Sequence, residues 1–221
     1  MFRGFPYERH SSVGVNLHVL HALVRVPGYP DRARTVDRLL DYLADQQTAG
    51  LYWVDKWHIS PYYATAHALR ILDEVPAAHA ARMEPIGRRS REWLRQTQNS
   101  DGSWGFYGQP TAEETAYALL ALARGGPATA PRDRDHCATA ARYLTADAQR
   151  RAGAADHSFP PLWIDKCLYT PTLVVQAVID AALLAAARIS PAIGSFYPDG
   201  WERRGTRNAR EHNTARKDGC A

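Results

Sequence analysis

Apolar positions along this chain fall into two alternating kinds of segment. Residues 12–26, 61–72, 112–123 and 171–187 are apolar nearly all round. Residues 31–47, 85–98 and 134–150 are amphipathic and charged. A helix that is apolar all round is covered on every side, whereas a charged one keeps a face in water. The alternation predicts an inner layer of helices and an outer, solvated layer, with inner helices starting near 12, 61, 112 and 171. The fold class expected is all-α, a partial α/α barrel (toroid) of about three and a half helical hairpins. A bundle or a solenoid is the competing layout. A closed toroid has roughly six hairpins, so the chain is expected to be open at one edge and to leave inner-layer surface for a partner.

The boundaries carry their own chemistry. Ser60-Pro61 and Thr170-Pro171 set a hydroxyl before a proline at a helix start. Thr111-Ala112-Glu113-Glu114 reads as a capping box. Pro27-Gly28 and Gly125-Gly126-Pro127 read as helix stops. Past about residue 190 the periodicity ends. The expected organisation is a partial barrel over 1–189 and a polar, Arg-rich, disordered tail over 190–221.

Two segments resemble each other: Trp53-Val54-Asp55-Lys56 leading to Ser60-Pro61, and Trp163-Ile164-Asp165-Lys166 leading to Thr170-Pro171. Between them Gln98-Asn99-Ser100-Asp101-Gly102-Ser103-Trp104 opens a third unit, and Gln46 to Trp53 reads as a degenerate copy with one extra residue.

Composition narrows the function classes. The net charge is +4, with the Arg excess dispersed, so nucleic-acid binding is not the expected role. No run of about 18 uncharged apolar residues suggests a membrane span. The N-terminus has no apolar signal core, and three cysteines form no paired framework, so a cytoplasmic setting is expected. Six Trp and eleven Tyr must sit in a core or around a cavity.

The Q-x-x-x-G-x-W signature at Gln98–Trp104 resembles the terpene cyclase and prenyltransferase α/α-barrel superfamily. Pro6-Tyr7-Glu8-Arg9-His10-Ser11-Ser12, Asn16-Leu17-His18 and Trp53 to Tyr63 are similar to bacterial class II diterpene cyclases of the copalyl diphosphate synthase kind. The resemblance covers about residues 2 to 188 and corresponds to the C-terminal part of the acid-bearing domain. It implies protonation-initiated cyclisation of geranylgeranyl diphosphate with the diphosphate retained, in a pocket lined by aromatic rings. It also implies that the acid motif D-x-D-D lies upstream of this region. The sequence has no D-x-D-D; the nearest string, Asp133-Arg134-Asp135-His136, lacks the adjacent pair, and D-D-x-x-D is absent as well. Protonating an alkene needs a well-held strong acid, so the chain is expected to require an upstream portion or a partner subunit to supply it.

Candidate residues follow. Trp53, Trp57, Tyr62 and Tyr63 cluster at an inner-helix entrance, and Tyr117 and Tyr169 are read as ring donors on later inner helices. Aromatic faces stabilise a cation by ~0.5–2 kcal/mol without offering a nucleophile; ordinary packing would explain the same residues. His67 and His18 are read as core histidines or as proton acceptors. Lys56, Lys166 and Arg9 are candidate diphosphate contacts, and Mg²⁺ is a candidate counter-ion. Asp165 and Cys167 would suit zinc as in protein prenyltransferase β subunits, but the only later histidine is His212. Competing roles are an isoprenoid-binding or partner-docking half-barrel without chemistry, and an inert remnant.

Overall fold

The computed structural model describes residues 1–124, 129–153 and 158–189. The proposed tail and the Gly125-Gly126-Pro127 stop lie outside these residues.

Among the described residues seven helices alternate between two layers: α1 (Val13–Arg25), α2 (Arg32–Asp45), α3 (Pro61–Leu72), α4 (Ala77–Gln96), α5 (Ala112–Leu122), α6 (Pro131–Ala152) and α7 (Thr172–Ile189). A two-stranded antiparallel hairpin, β1 (Trp163–Ile164) and β2 (Leu168–Tyr169), precedes α7. The inner helices α1, α3, α5 and α7 pack side by side in chain order. Each of α2, α4 and α6 backs the inner helix before it. This is an open sector of an α/α barrel with three and a half hairpins, as the periodicity predicts.

Burial shows which helices are flanked. Every residue of α3 except His67 and Arg70 is buried, and every residue of α5 except Leu120. By contrast α1 and α7 bury one stripe each. On α7 the stripe is Val175, Ile179, Ala182, Leu183, Ala186 and Ile189, whereas Leu173 is 83% exposed and Leu184 55%. These two helices therefore form the open edges. The sequence reading found no membrane span, yet Thr172–Ile189 is long and apolar enough to cross one by length and composition. Its Asp180 and Arg188 break the apolar run without lowering its mean hydropathy enough. Its buried stripe packs on α5 and α6 as an inner helix.

Of the three predicted start signals, the hydroxyls of Ser60 and Thr111 cap their helices and that of Thr170 does not; Ser12 adds a cap that was not predicted. Ser60 Oγ accepts from the Tyr62 amide with Pro61 in the first turn. Thr111 Oγ1 accepts from the Glu114 amide at 3.1 Å while donating to Glu114 Oε2 at 2.8 Å. Ser12 caps α1 through the Val15 amide. Thr170 does not cap α7; its hydroxyl donates to Phe159 O, and the Val174 and Val175 amides bond to Pro171 O. Two outer helices also begin earlier than predicted. α4 starts at Ala77 because Ala77–Glu84 are good helix formers, and Pro85 is carried inside. α6 starts at Pro131, a proline suited to the first helical position.

The layers are joined at two equivalent tryptophans. Trp104 is fully buried; its Nε1–H donates to Leu94 O at the end of α4, and its backbone N–H to Thr115 Oγ1 of α5. Trp53 repeats this, with Nε1–H on Leu43 O of α2 and N–H on Thr65 Oγ1 of α3. Each indole thus ties the end of one outer helix to the next inner helix. The glutamine of each unit ties outer helix to outer helix. Gln98 Nε2 donates to His136 O and Thr139 Oγ1 of α6. Gln47 Nε2 donates to Ser90 Oγ and Ile86 O of α4. The equivalent glutamine in the first unit is therefore Gln47, not Gln46, and no extra residue precedes Trp53. What differs is the glycine: Gly102 (φ +90°) has shifted to Gly50 (φ +69°). A Cβ on Gly102 would stand 2.5 Å from Thr139 O, so the turn needs glycine to sit against α6.

Replacing Trp104 with Phe keeps a buried ring but removes the 2.8 Å indole bond to Leu94 O, leaving that carbonyl only the longer contact from Thr97 Oγ1 (3.3 Å). The expected loss is about 1–3 kcal/mol in urea unfolding, whereas Phe at exposed Tyr7 should change stability by less than about 0.5 kcal/mol.

Candidate active site

Above the N-terminal ends of α1 and α3 the chain forms a cavity of about 280 Å³. It is lined by Gly14, Val15 and His18 of α1, by Asp55, Trp57 and Tyr63, and by Trp163, Ile164 and Tyr169 of the hairpin. The hairpin is held there by backbone bonds from Ile164 N to Trp57 O (3.0 Å) and Ile59 N to Leu162 O (2.9 Å).

Asp55 shapes the cavity's α1 wall. It is buried, and Oδ1 accepts from Ser12 Oγ (2.6 Å) and the Gly14 amide (2.8 Å), while Oδ2 accepts from the Trp57 amide. A carboxylate at this end of α1 complements the helix dipole. A Cβ on Gly14 would meet Asp55 Oδ2 at 2.9 Å, so glycine permits the approach. With its oxygens engaged, Asp55 is a capping group rather than a free acid.

Behind the wall lies a second polar group. His58 is buried, and its Nε2 stands 3.2 Å from Oε1 of the equally buried Glu113. The Trp163 indole N–H donates to the same oxygen at 2.8 Å. The His58 ring stacks on Tyr63 (4.7 Å, 13°), and Tyr117 stands edge-on to Tyr63 at 5.3 Å. Burial, together with the Asp55 and Glu113 charges, pushes the Tyr63 phenol up to about 12; burial and Glu113 push Tyr117 up too. Both remain neutral rings at physiological pH.

The structure divides the predicted site residues. Trp57, Tyr63 and Tyr169 border the cavity. Tyr169 lies on strand β2, 43% exposed, rather than on an inner helix. Its backbone pairs with Trp163 of β1 ahead of α7. Trp53 faces the seam between layers, and Tyr62 stacks on Trp93 of α4 (4.9 Å, 21°), so neither reaches the cavity. Tyr117 and His67 form the ring shell behind Tyr63, with His67 4.7 Å from Tyr63 and 5.6 Å from His18. Lys56 pairs with Glu8 at 2.8 Å and lies over the Trp57 ring. Lys166 and Arg9 are exposed and far apart in sequence; no bond joins them to the cavity.

His58, Glu113 and Trp163 escaped the sequence reading. Glu113 looked like part of a capping box, and Trp163 like a copy of Trp53. The two W-x-D-K segments are not structural equivalents. Trp53 is a buried tie and Asp55 a buried cap, whereas Trp163 lies on a strand and Asp165 is exposed. For zinc, Asp165 and Cys167 are both exposed, and His212 lies outside the described residues.

The sequence pattern of the squalene-hopene cyclase C-terminal domain matches residues 9–160. The chain belongs to this family. Its relatives include an ent-copalyl diphosphate synthase of Streptomyces sp. (strain KO-3988), 38% identical over 198 residues, which are 86% of this chain and 36% of that protein. A type B diterpene cyclase of Mycobacterium tuberculosis is 38% identical, over 82% of this chain and 34% of the relative. The fold superposes on the ent-copalyl diphosphate synthase from Streptomyces platensis with a TM-score of 0.67 at 35% identity, covering 86% of this chain and 35% of that one. The chain thus spans about a third of the length of these relatives. Within the family domain, Trp57, His58, Tyr63 and Glu113 all fall inside the matched residues, whereas Trp163 and Tyr169 lie just beyond.

Burial, then the positive charges of His18, Arg70, His21 and His58, lower His67 to about 4 from an ordinary 6.5. The unfolded chain therefore binds more protons between those values, so stability falls as pH drops from about 6.5 to about 4 and gains no further slope from His67 below that. Melting temperatures recorded across that range should fall less steeply for His67→Gln than for the native chain.

Proposed function

We propose that this chain is the C-terminal part of a class II diterpene cyclase. In this reading it holds the isoprenoid chain of geranylgeranyl diphosphate for protonation-initiated cyclisation with the diphosphate retained. The observation that carries the reading is the cavity itself: Trp57, Tyr63, Trp163 and Tyr169 line it, and the one carboxylate bordering it among the described residues, Asp55, is engaged in helix capping. Such a surface suits a greasy polyene and a carbocation, since ring faces attract positive charge without trapping it. It does not suit the first step. An alkene is protonated by a carboxylic acid kept protonated beside other carboxylates, and the sequence contains no D-x-D-D.

The acid therefore comes from another segment or from a partner subunit, and the exposed face of α7, with Leu173 and Leu184, is the proposed docking edge. Lys166 and Arg9 are the proposed diphosphate contacts, with Lys56 joining them once its pair with Glu8 opens. Among the described residues no cluster of three or more His, Cys, Asp or Glu side chains is placed to hold a metal. Mg²⁺ enters the proposal only as a counter-ion of the diphosphate. The proposed compartment is the cytoplasm, in keeping with the free thiols of Cys137 and Cys167.

The second reading, a half-barrel that binds an isoprenoid without chemistry, is favoured by the engaged state of Asp55. One assay separates the two. The purified chain should give no product from geranylgeranyl diphosphate, and co-expression with an acid-bearing N-terminal segment of a relative should yield a bicyclic diphosphate. Binding of the substrate with no product in either case would favour the second reading.

A further inference from the structure

Behind the cavity wall lies a buried charge that neither capping nor the layer ties explain. Glu113 is 1% exposed in the first turn of α5. Its neighbour Glu114 is spent at the helix start, where Oε2 accepts from the Thr111 hydroxyl and Oε1 from the Phe106 amide. Glu113 turns the other way, and Oε1 receives the Trp163 indole N–H (2.8 Å) and faces His58 Nε2 (3.2 Å). Its Oε2 is buried with no hydrogen-bond partner among the described residues.

A buried carboxylate oxygen without a partner is costly and is kept where something offsets it. The His58 side offers compensation: Nδ1 lies 3.1 Å from the Ser60 amide, and with Nδ1 accepting that N–H the ring directs Nε2–H at Glu113. The Trp163 side leads into the cavity. An indole N–H pinned to an anion fixes the plane of the ring, and Trp163 then stands edge-on to Tyr63 at 5.2 Å with both rings bordering the cavity. A negative charge behind these rings makes the space in front of them more attractive to a positive charge, and weak screening in a buried site extends its reach.

We propose that Glu113 is a positioning residue that locks Trp163 into the aromatic wall and supplies the negative field which makes this cavity select a cationic isoprenoid over a neutral one. The proposal rests on the reading of the cavity as an isoprenoid site. Asp55 also borders the cavity and its charge reaches Tyr63 as that of Glu113 does, so the total field is shared and the Glu113 variants measure the part that Glu113 adds.

The test compares two ligands on the purified full chain by isothermal titration: a geranyl tertiary amine, cationic at neutral pH, and geraniol. The native chain should prefer the amine. Glu113→Gln, which retains an acceptor for Trp163 and His58 but not the charge, should reduce that preference roughly tenfold while binding geraniol much as before. Trp163→Phe, which keeps a ring and the carboxylate but loses the N–H donor, should weaken both ligands and leave the preference in place. Should the Gln variant fail to fold, the Phe variant still decides: loss of the preference with the carboxylate intact would assign selectivity to the indole and overturn the proposal. An unchanged preference in a folded Glu113→Gln chain would overturn it too, while leaving the cavity reading intact. If neither ligand bound the native chain, the cavity reading itself would fall and this proposal with it.

Discussion

The indole-to-carbonyl bond between layers is the constraint on which the rest of the molecule depends. An α/α sector has no sheet to fix the relative height of its helices, and apolar side chains alone would let one layer slide over the other. At Trp53 and Trp104 a ring fills the seam, its N–H is satisfied only at the last turn of an outer helix, and its backbone N–H only at a threonine of the next inner helix. Burying an indole away from such a partner would be costly, so few registers are tolerated. Gln47 and Gln98 extend the same logic sideways along the outer layer.

With the layers held, the loops that join outer to inner helices become the chemically distinctive part. They place capping groups and aromatic rings at the same height. Ser60 and Asp55 satisfy helix ends, and the residues between them, Trp57 and His58, project toward the next unit. The hairpin at Trp163–Tyr169 extends these loops by backbone pairing and lines the cavity. The outcome is a pocket whose wall is apolar and aromatic while its charges are buried behind it or committed to caps. That arrangement suits binding a hydrocarbon and tolerating positive charge; it does not suit donating a proton.

Much of the fold was legible in the sequence, because layer membership is written in whether a helix has a polar face. The all-round apolar pattern of 61–72 and 112–122 corresponds to helices flanked on both sides. The site was less legible, because identical strings serve different positions. Trp-Val-Asp-Lys and Trp-Ile-Asp-Lys look like copies, yet one ends an outer-to-inner tie and the other enters a strand. Tyr62 and Tyr63 are neighbours whose rings, on a helix, must point about 100° apart, so one faces α4 and the other the cavity. Gln46 and Gln47 are indistinguishable by composition; only the constant spacing to tryptophan picks out Gln47. Glu113 was hidden by its resemblance to an ordinary first-turn carboxylate, and its distant partners His58 and Trp163 give no local signal.

The most direct measurement is the set of tryptophan indole N–H resonances of the nitrogen-15-labelled chain, titrated with a non-hydrolysable geranylgeranyl thiodiphosphate. If the cavity holds the isoprenoid, the Trp57 and Trp163 signals move with saturation, while those of Trp53 and Trp104, locked in the layer seams, stay in place. Uniform small shifts of all the indoles, or movement of Trp53 and Trp104 with Trp57 and Trp163 unchanged, would contradict the assignment of this cavity as the isoprenoid site.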